Sequence, residues 1–101
     1  MSALDDFGRN LLDEQLRRNG TTVIAPVRAE MQFQIVSRLN DFINRRLLDA
    51  MDGATLARFN KLIETDAAEA EIQRFIEFNV PNKEYVIAGA LQEFRKLYLG
   101  I

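Results

Sequence analysis

The stretch PVRAEMQFQIVSRLNDFINRRLLDA, residues 26–50, has the periodicity of one long amphipathic helix. At about 100° per residue, Met31, Ile35, Val36, Leu39, Phe42, Ile43 and Leu47 fall within an arc of about 160°. Gln34, Ser37, Asp41, Asn44 and Arg45 take the opposite side. Pro26 suits the first helical position, where a missing N–H costs nothing. Phe33 and Met51 widen the apolar arc, and Leu48 lies beyond it. One neighbour cannot cover so broad a face, so this helix is expected to be the central element. Either several helices surround it, or part of it meets another subunit.

Working outward, four further helices are expected. Ser2 is the candidate cap of a first helix over residues 3–19, with Leu4, Phe7, Leu11, Leu12 and Leu16 at helical spacing. Asn19-Gly20 ends it, since glycine takes the left-handed position after a helix without a Cβ penalty. The β-branched run 21–25 then reads as an extended connector, with Val23 and Ile24 turned to the core. Asp52-Gly53 opens a third helix, 54–64, with Leu56, Phe59, Leu62 and Ile63 on one face. Asp66 and Glu69 have capping-box spacing for a fourth helix that ends at Asn79 and buries Ala68, Ile72, Phe75 and Ile76. Phe78 faces away from that stripe. Val80-Pro81-Asn82 breaks the chain, and a fifth helix over 83–99 aligns Val86, Ile87, Ala90, Leu91, Phe94, Leu97 and Tyr98. Gly89 falls outside that face, and Leu99, Gly100 and Ile101 form an apolar tail. The expected fold is all-α, a compact array of about five helices around a long central second helix, in a single domain over residues 1–101.

The composition narrows the chemistry. Among 101 residues there is no histidine and no cysteine, which removes disulfides, thiolate nucleophiles, the usual zinc sites and the commonest general base. The carboxylate pairs Asp5-Asp6, Asp13-Glu14 and Glu69/Glu71 sit at polar or terminal helix positions, where nothing raises a pKa for acid–base work. Asp49, Asp52 and Gly53 echo a calcium loop only faintly and read better as a helix end followed by an N-cap. The glycines are too scattered for a phosphate-binding loop. The chain therefore reads as non-catalytic, with no catalytic, cofactor-binding or metal-binding residues and no cofactor. Charges throughout residues 1–20 leave no room for a signal-peptide core, and no apolar run is long enough to span a membrane, so a cytoplasmic protein is expected.

Seven arginines in residues 1–50 meet seven acidic residues there, and the whole chain carries a net charge of −2. Nucleic-acid binding through the arginines of the first two helices is the alternative function, but balanced charge supplies little counterion-release affinity. Arg28 and Arg46 project into the apolar arc of the second helix. Each must pair with a carboxylate or helix-end carbonyls, lie at an interface, or reach past the helix to water. Glu64, Asp66, Glu69, Glu71 and Glu77 form the most charged segment, suited either to a basic partner or to simple solubility.

The segments Leu11-Leu12-Asp13-Glu14-Gln15-Leu16, Leu56-x-x-Phe59-x-x-Leu62-Ile63 and Phe75-Ile76-x-x-Asn79-Val80-Pro81-Asn82, the last leading into a final amphipathic helix, resemble a family of small bacterial all-helical proteins known as a domain of unknown function. The resemblance spans about residues 9–97. It implies a helical fold and carries no activity or site residues with it. From the residues themselves, the expected function is protein–protein interaction or self-association, most simply a homodimer through the second helix. The candidate interface residues are Phe33, Leu48, Phe78, Arg28, Arg46, Leu99 and Ile101, apolar or cationic groups that fall where the stripes do not need them.

Overall fold

The computed structural model describes residues 3–101, so the Ser2 cap lies outside the described residues. Five helices follow in order: α1 (Ala3–Asn19), α2 (Ala25–Asp49), α3 (Gly53–Glu64), α4 (Glu69–Asn79) and α5 (Lys83–Leu99), with no strand among the described residues. The fold is all-α, as the periodicity predicts, and each expected helix forms within a residue or two of its expected bounds. Two compact units divide the chain, residues 1–42 with 91–101 and residues 43–90.

In the first unit, α1 contributes Leu11, Leu12 and Leu16 to the core, α2 contributes Ile35 and Leu39, and α5 contributes Phe94. Phe42 and Phe94 meet edge to face at 5.7 Å, and Tyr98 stacks on Phe94 at 6.1 Å. At Gly8 the α1 backbone comes so close to α2 that a Cβ there would lie 2.7 Å from the Val36 Cγ2. Polar groups tie the same helices: Arg95 donates to both Glu14 carboxylate oxygens at 2.8 and 3.0 Å, Arg28 pairs with Asp13, and the Tyr98 hydroxyl donates to Gln15.

In the second unit Ile43, Leu47, Met51, Ile76, Val80 and Ala90 are buried. Phe59 of α3 and Phe75 of α4 lie 6.0 Å apart, the aromatic seam between those two helices. Asp52 caps α3 by accepting from the Thr55 N–H at 2.7 Å, which is the N-cap reading of the Asp49-Asp52-Gly53 cluster.

The broad apolar arc of α2 resolves into a narrower feature. Ile35, Leu39, Ile43 and Leu47 recur every four residues and are all buried. A four-residue step overshoots one turn by about 40°, so this stripe winds about 120° around the helix between Ile35 and Leu47. The arc is the projection of that winding line, and α2 supplies buried residues to both units along it.

Four details depart from expectation. Asp66 does not cap α4, whose N-cap is Ala68 and has no side-chain cap bond. Asp66 instead adopts φ 56° and closes α3: its N–H reaches the Ile63 carbonyl and the Ala67 N–H reaches that of Leu62, the paired bonds of a Schellman ending. The same bond pair ends α1 at Gly20; at the end of α5, Gly100 is also left-handed and the Ile101 N–H reaches the Lys96 carbonyl, so Leu99 and Ile101 belong to a turn. Ile24 is not turned inward but 69% exposed, because its carbonyl accepts from the Arg28 N–H as α2 starts and its side chain points off the helix end. Leu97, expected on the buried face of α5, is 66% exposed, and Ala68 is exposed as well.

Candidate interaction surfaces

The seven candidate interface residues divide between the units. Phe33, Arg28, Leu99 and Ile101 belong to the first, and Leu48, Arg46 and Phe78 to the second. Arg28 and Arg46 are half-exposed and engaged within the chain, Arg28 with Asp13 and Arg46 with Asp49 at 3.5 Å. Asp49 thus pairs with Arg46, not with Arg45 as i,i+4 spacing suggests, since a three-residue step also brings side chains together on a helix. Phe78 stands almost fully in solvent at the end of α4. Leu99 is half-buried beside its turn.

Phe33 is 69% exposed and forms one wall of a groove of about 490 Å³ in the first unit. Ala29, Gln32, Val36, Ser37 and Asn40 of α2 line the rest, with Asp5 of α1 at the edge. The small residues Ala29 and Ser37 open the space that Phe33 borders. A protruding aromatic ring and a cleft therefore lie on one helix face.

The second unit carries a different groove, about 360 Å³ in volume. Leu47 and Leu48 of α2, Met51 just beyond its end, Phe59 and Ile63 of α3, and Ile72 and Ile76 of α4 make its apolar lining. Asn44, Gln73 and Glu69 supply its polar positions, so its one charged lining residue is an acid. The periodicity of α3 puts Ile63 on the buried face, yet it is 50% exposed. Nothing in that periodicity separates it from Phe59 or Leu62, because the helix projection places a residue on a face without saying whether a neighbour reaches that turn.

Three ionisable groups are displaced from their ordinary behaviour, and each has a structural reason. Burial raises the Glu14 carboxyl, but hydrogen bonds and charge from Arg18 and Arg95 outweigh it and leave the group below its ordinary value. The Thr55 backbone N–H, then its hydroxyl, lowers Asp52. Burial raises the Tyr98 phenol. All three groups hold helices together, and none faces a cavity with a second displaced group. Among the described residues there is no cluster of three metal-ligating side chains, and no helix is long and apolar enough to cross a membrane.

No family model, curated protein or solved structure matches this chain.

Proposed function

We propose that this chain is a small helical interaction module that self-associates through α2, without catalytic activity. The observation that carries the reading is Phe33, a large exposed ring beside a groove of about 490 Å³ on the same face. A twofold contact requires a self-complementary patch, and a knob next to a hole meets that requirement: each protomer's ring enters its partner's groove. Aromatic anchors of this kind dominate interface energetics, and the polar Gln32, Ser37 and Asn40 are suited to a wet rim. A cysteine-free chain fits the reducing cytosol.

The nucleic-acid alternative draws little support from the arginines, most of which are paired. Arg9 pairs with Asp6 at 3.3 Å, Arg18 with Glu14 at 3.2 Å, and Arg28, Arg46 and Arg95 have carboxylate partners as well. These cations are neutralised at short range, which leaves Arg17, Arg38 and Arg45 as the arginines of the first two helices without an ion pair among the described residues, a small positive field for phosphate binding.

Light scattering across a dilution series tests the proposal. One groove contact is smaller than the ~800 Å² per partner of a standard interface, so the dimer is expected to dissociate on dilution. Phe33→Asp should give the monomer mass at every concentration with the helical signal intact. A monomer mass for the unaltered chain at the highest concentration overturns the reading, as does a dimer that survives Phe33→Asp.

A further inference from the structure

A third groove, of about 420 Å³, lies within the second unit and shares no lining residue with either groove described above. Arg58, Lys61, Leu62 and Thr65 recur at i, i+3, i+4 and i+7 along α3 and its C-cap, a strip about 10 Å long, and Phe75 of α4 completes the lining. Leu62 and Phe75 are half-buried apolar groups, and the two charged lining residues are both cations. Apolar surface with a few convergent polar groups is the usual make-up of a small-molecule site.

Those cations keep their charge free. In a unit where eight Asp and Glu face six Lys and Arg, neither Arg58 nor Lys61 makes an ion pair among the described residues, while Arg46 and Lys83 do. Arg45 and Arg74 also lack one, but they line neither groove of the unit. The neighbouring acids are engaged or misplaced. Asp52 feels the Arg58 charge, yet its carboxylate caps α3 on the Thr55 N–H. Glu64 is rotated about 60° from Lys61 in the direction opposite to Arg58. Glu71, one turn before Phe75 on α4, neither lines the groove nor pairs with Lys61. Neutral groups hold Arg58 instead: its guanidinium lies 5.9 Å from the Phe75 ring centroid, and its Nη2 donates to the Thr55 hydroxyl at 3.4 Å and the Asn79 side-chain oxygen at 3.5 Å. Nη1 and Nε donate to no group among the described residues. The side chain is thus positioned without being neutralised, the preorganised state that favours binding.

The geometry points to this groove as a binding site for a small aromatic monocarboxylate. Its carboxylate lies between Arg58 and Lys61, which are neighbours one turn apart on α3, and its rings cover Leu62 and the exposed part of Phe75. An inorganic anion leaves the apolar strip bare, and a neutral aromatic leaves both cations unused.

Amide-resolved NMR titration of the full chain at neutral pH and low salt tests this with naphthoate, naphthamide, naphthylmethylammonium and acetate. Naphthoate should bind with a Kd on the order of 0.1–1 mM, and the shifted amides should gather at residues 58–65 and 75. Naphthamide keeps the apolar contact and loses the charge-assisted bonds, so it should bind at least about tenfold more weakly, a gap that narrows as salt screens exposed charge. Acetate keeps the charge without the rings and should also bind at least about tenfold more weakly. The ammonium should give no localised shifts there. Arg58→Gln/Lys61→Gln, at two exposed positions, should weaken naphthoate at least about tenfold and leave the rest of the spectrum in place. Absence of localised shifts with naphthoate up to about 10 mM overturns the proposal. So does equal binding of naphthoate with naphthamide or acetate, a cluster of shifts elsewhere on the chain, or indifference to the double variant. Phe33→Asp should leave the titration unchanged, so this site and the self-association proposed above succeed or fail separately.

Discussion

At Asp66 one side chain sits where the backbone asks for a glycine. A φ of 56° places it in the left-handed region, and its carboxylate stands at the negative end of α3. Gly20 and Gly100 fill the equivalent position at the ends of α1 and α5 without that strain. Asp66→Gly should therefore raise stability by about 0.5–1 kcal/mol, read as a higher urea midpoint with unchanged slope. Glu14 gives a pH signature. Its carboxyl is held below its ordinary value in the folded chain, so its contribution is complete above the unfolded-state value and disappears as pH falls through the folded one. Glu14→Gln should lower the urea midpoint at neutral pH and approach the unaltered chain under acid conditions. A constant difference across that range contradicts the role given to Arg95 and Arg18.

Two helix-interior glycines show how packing decides what propensity cannot. A methyl group at Gly89 on α5 would meet nothing within 4 Å, and the position is exposed, so Gly89→Ala should stabilise by about 1 kcal/mol. Gly8 has the same intrinsic preference for alanine, but the Cβ would lie 2.7 Å from Val36, a β-branched side chain with little rotamer freedom on a helix. Overpacking of about 1–3 kcal/mol outweighs the gain of about 1 kcal/mol, so Gly8→Ala should destabilise. In a double-mutant cycle with Val36→Ala the pair should couple favourably, by about 1 kcal/mol, because the second change removes the clash that the first creates. This pair also marks where sequence reading stops. The helices are legible because Gly20, Asp52-Gly53 and Val80-Pro81-Asn82 punctuate strong periodicities, and punctuation is local. The closeness of α1 to α2 at Gly8 and the exposure of Ile63 and Leu97 depend on where a neighbouring helix ends, which no periodicity records. Asp66 misleads for a related reason: it has capping-box spacing to Glu69 for α4, yet it is also the residue after the end of α3, where with Ala67 it makes the Schellman bonds back to Ile63 and Leu62, and geometry at the end of α3 prevails. Of the candidate interface, Phe33 and Phe78 are legible as apolar residues off every stripe. The groove around Leu48 is not, since its walls come from three separate helices.

Across the molecule, charge is distributed unevenly between the units: seven Lys and Arg face seven Asp and Glu in the first, and six face eight in the second. The near-neutral unit holds the Phe33 groove, and low net charge would impose little repulsion on two copies meeting there as proposed. The proposed self-association through the first unit would have a thermodynamic consequence that does not depend on seeing the dimer. If only folded protomers pair, concentration stabilises the fold by mass action. Above the dissociation constant each tenfold rise in concentration adds about 0.7 kcal/mol per protomer, or about 3–5 °C in melting temperature for a chain of this size. The unaltered chain should show that slope in calorimetry. Phe33→Asp should melt at one temperature throughout the series, because its unfolding no longer includes dissociation. Glu64→Gln/Glu69→Gln should retain the concentration slope, since those carboxylates belong to the other unit and leave the Phe33 groove intact. A flat response in the unaltered chain means that folding is complete within each protomer and that Phe33 contributes nothing by pairing.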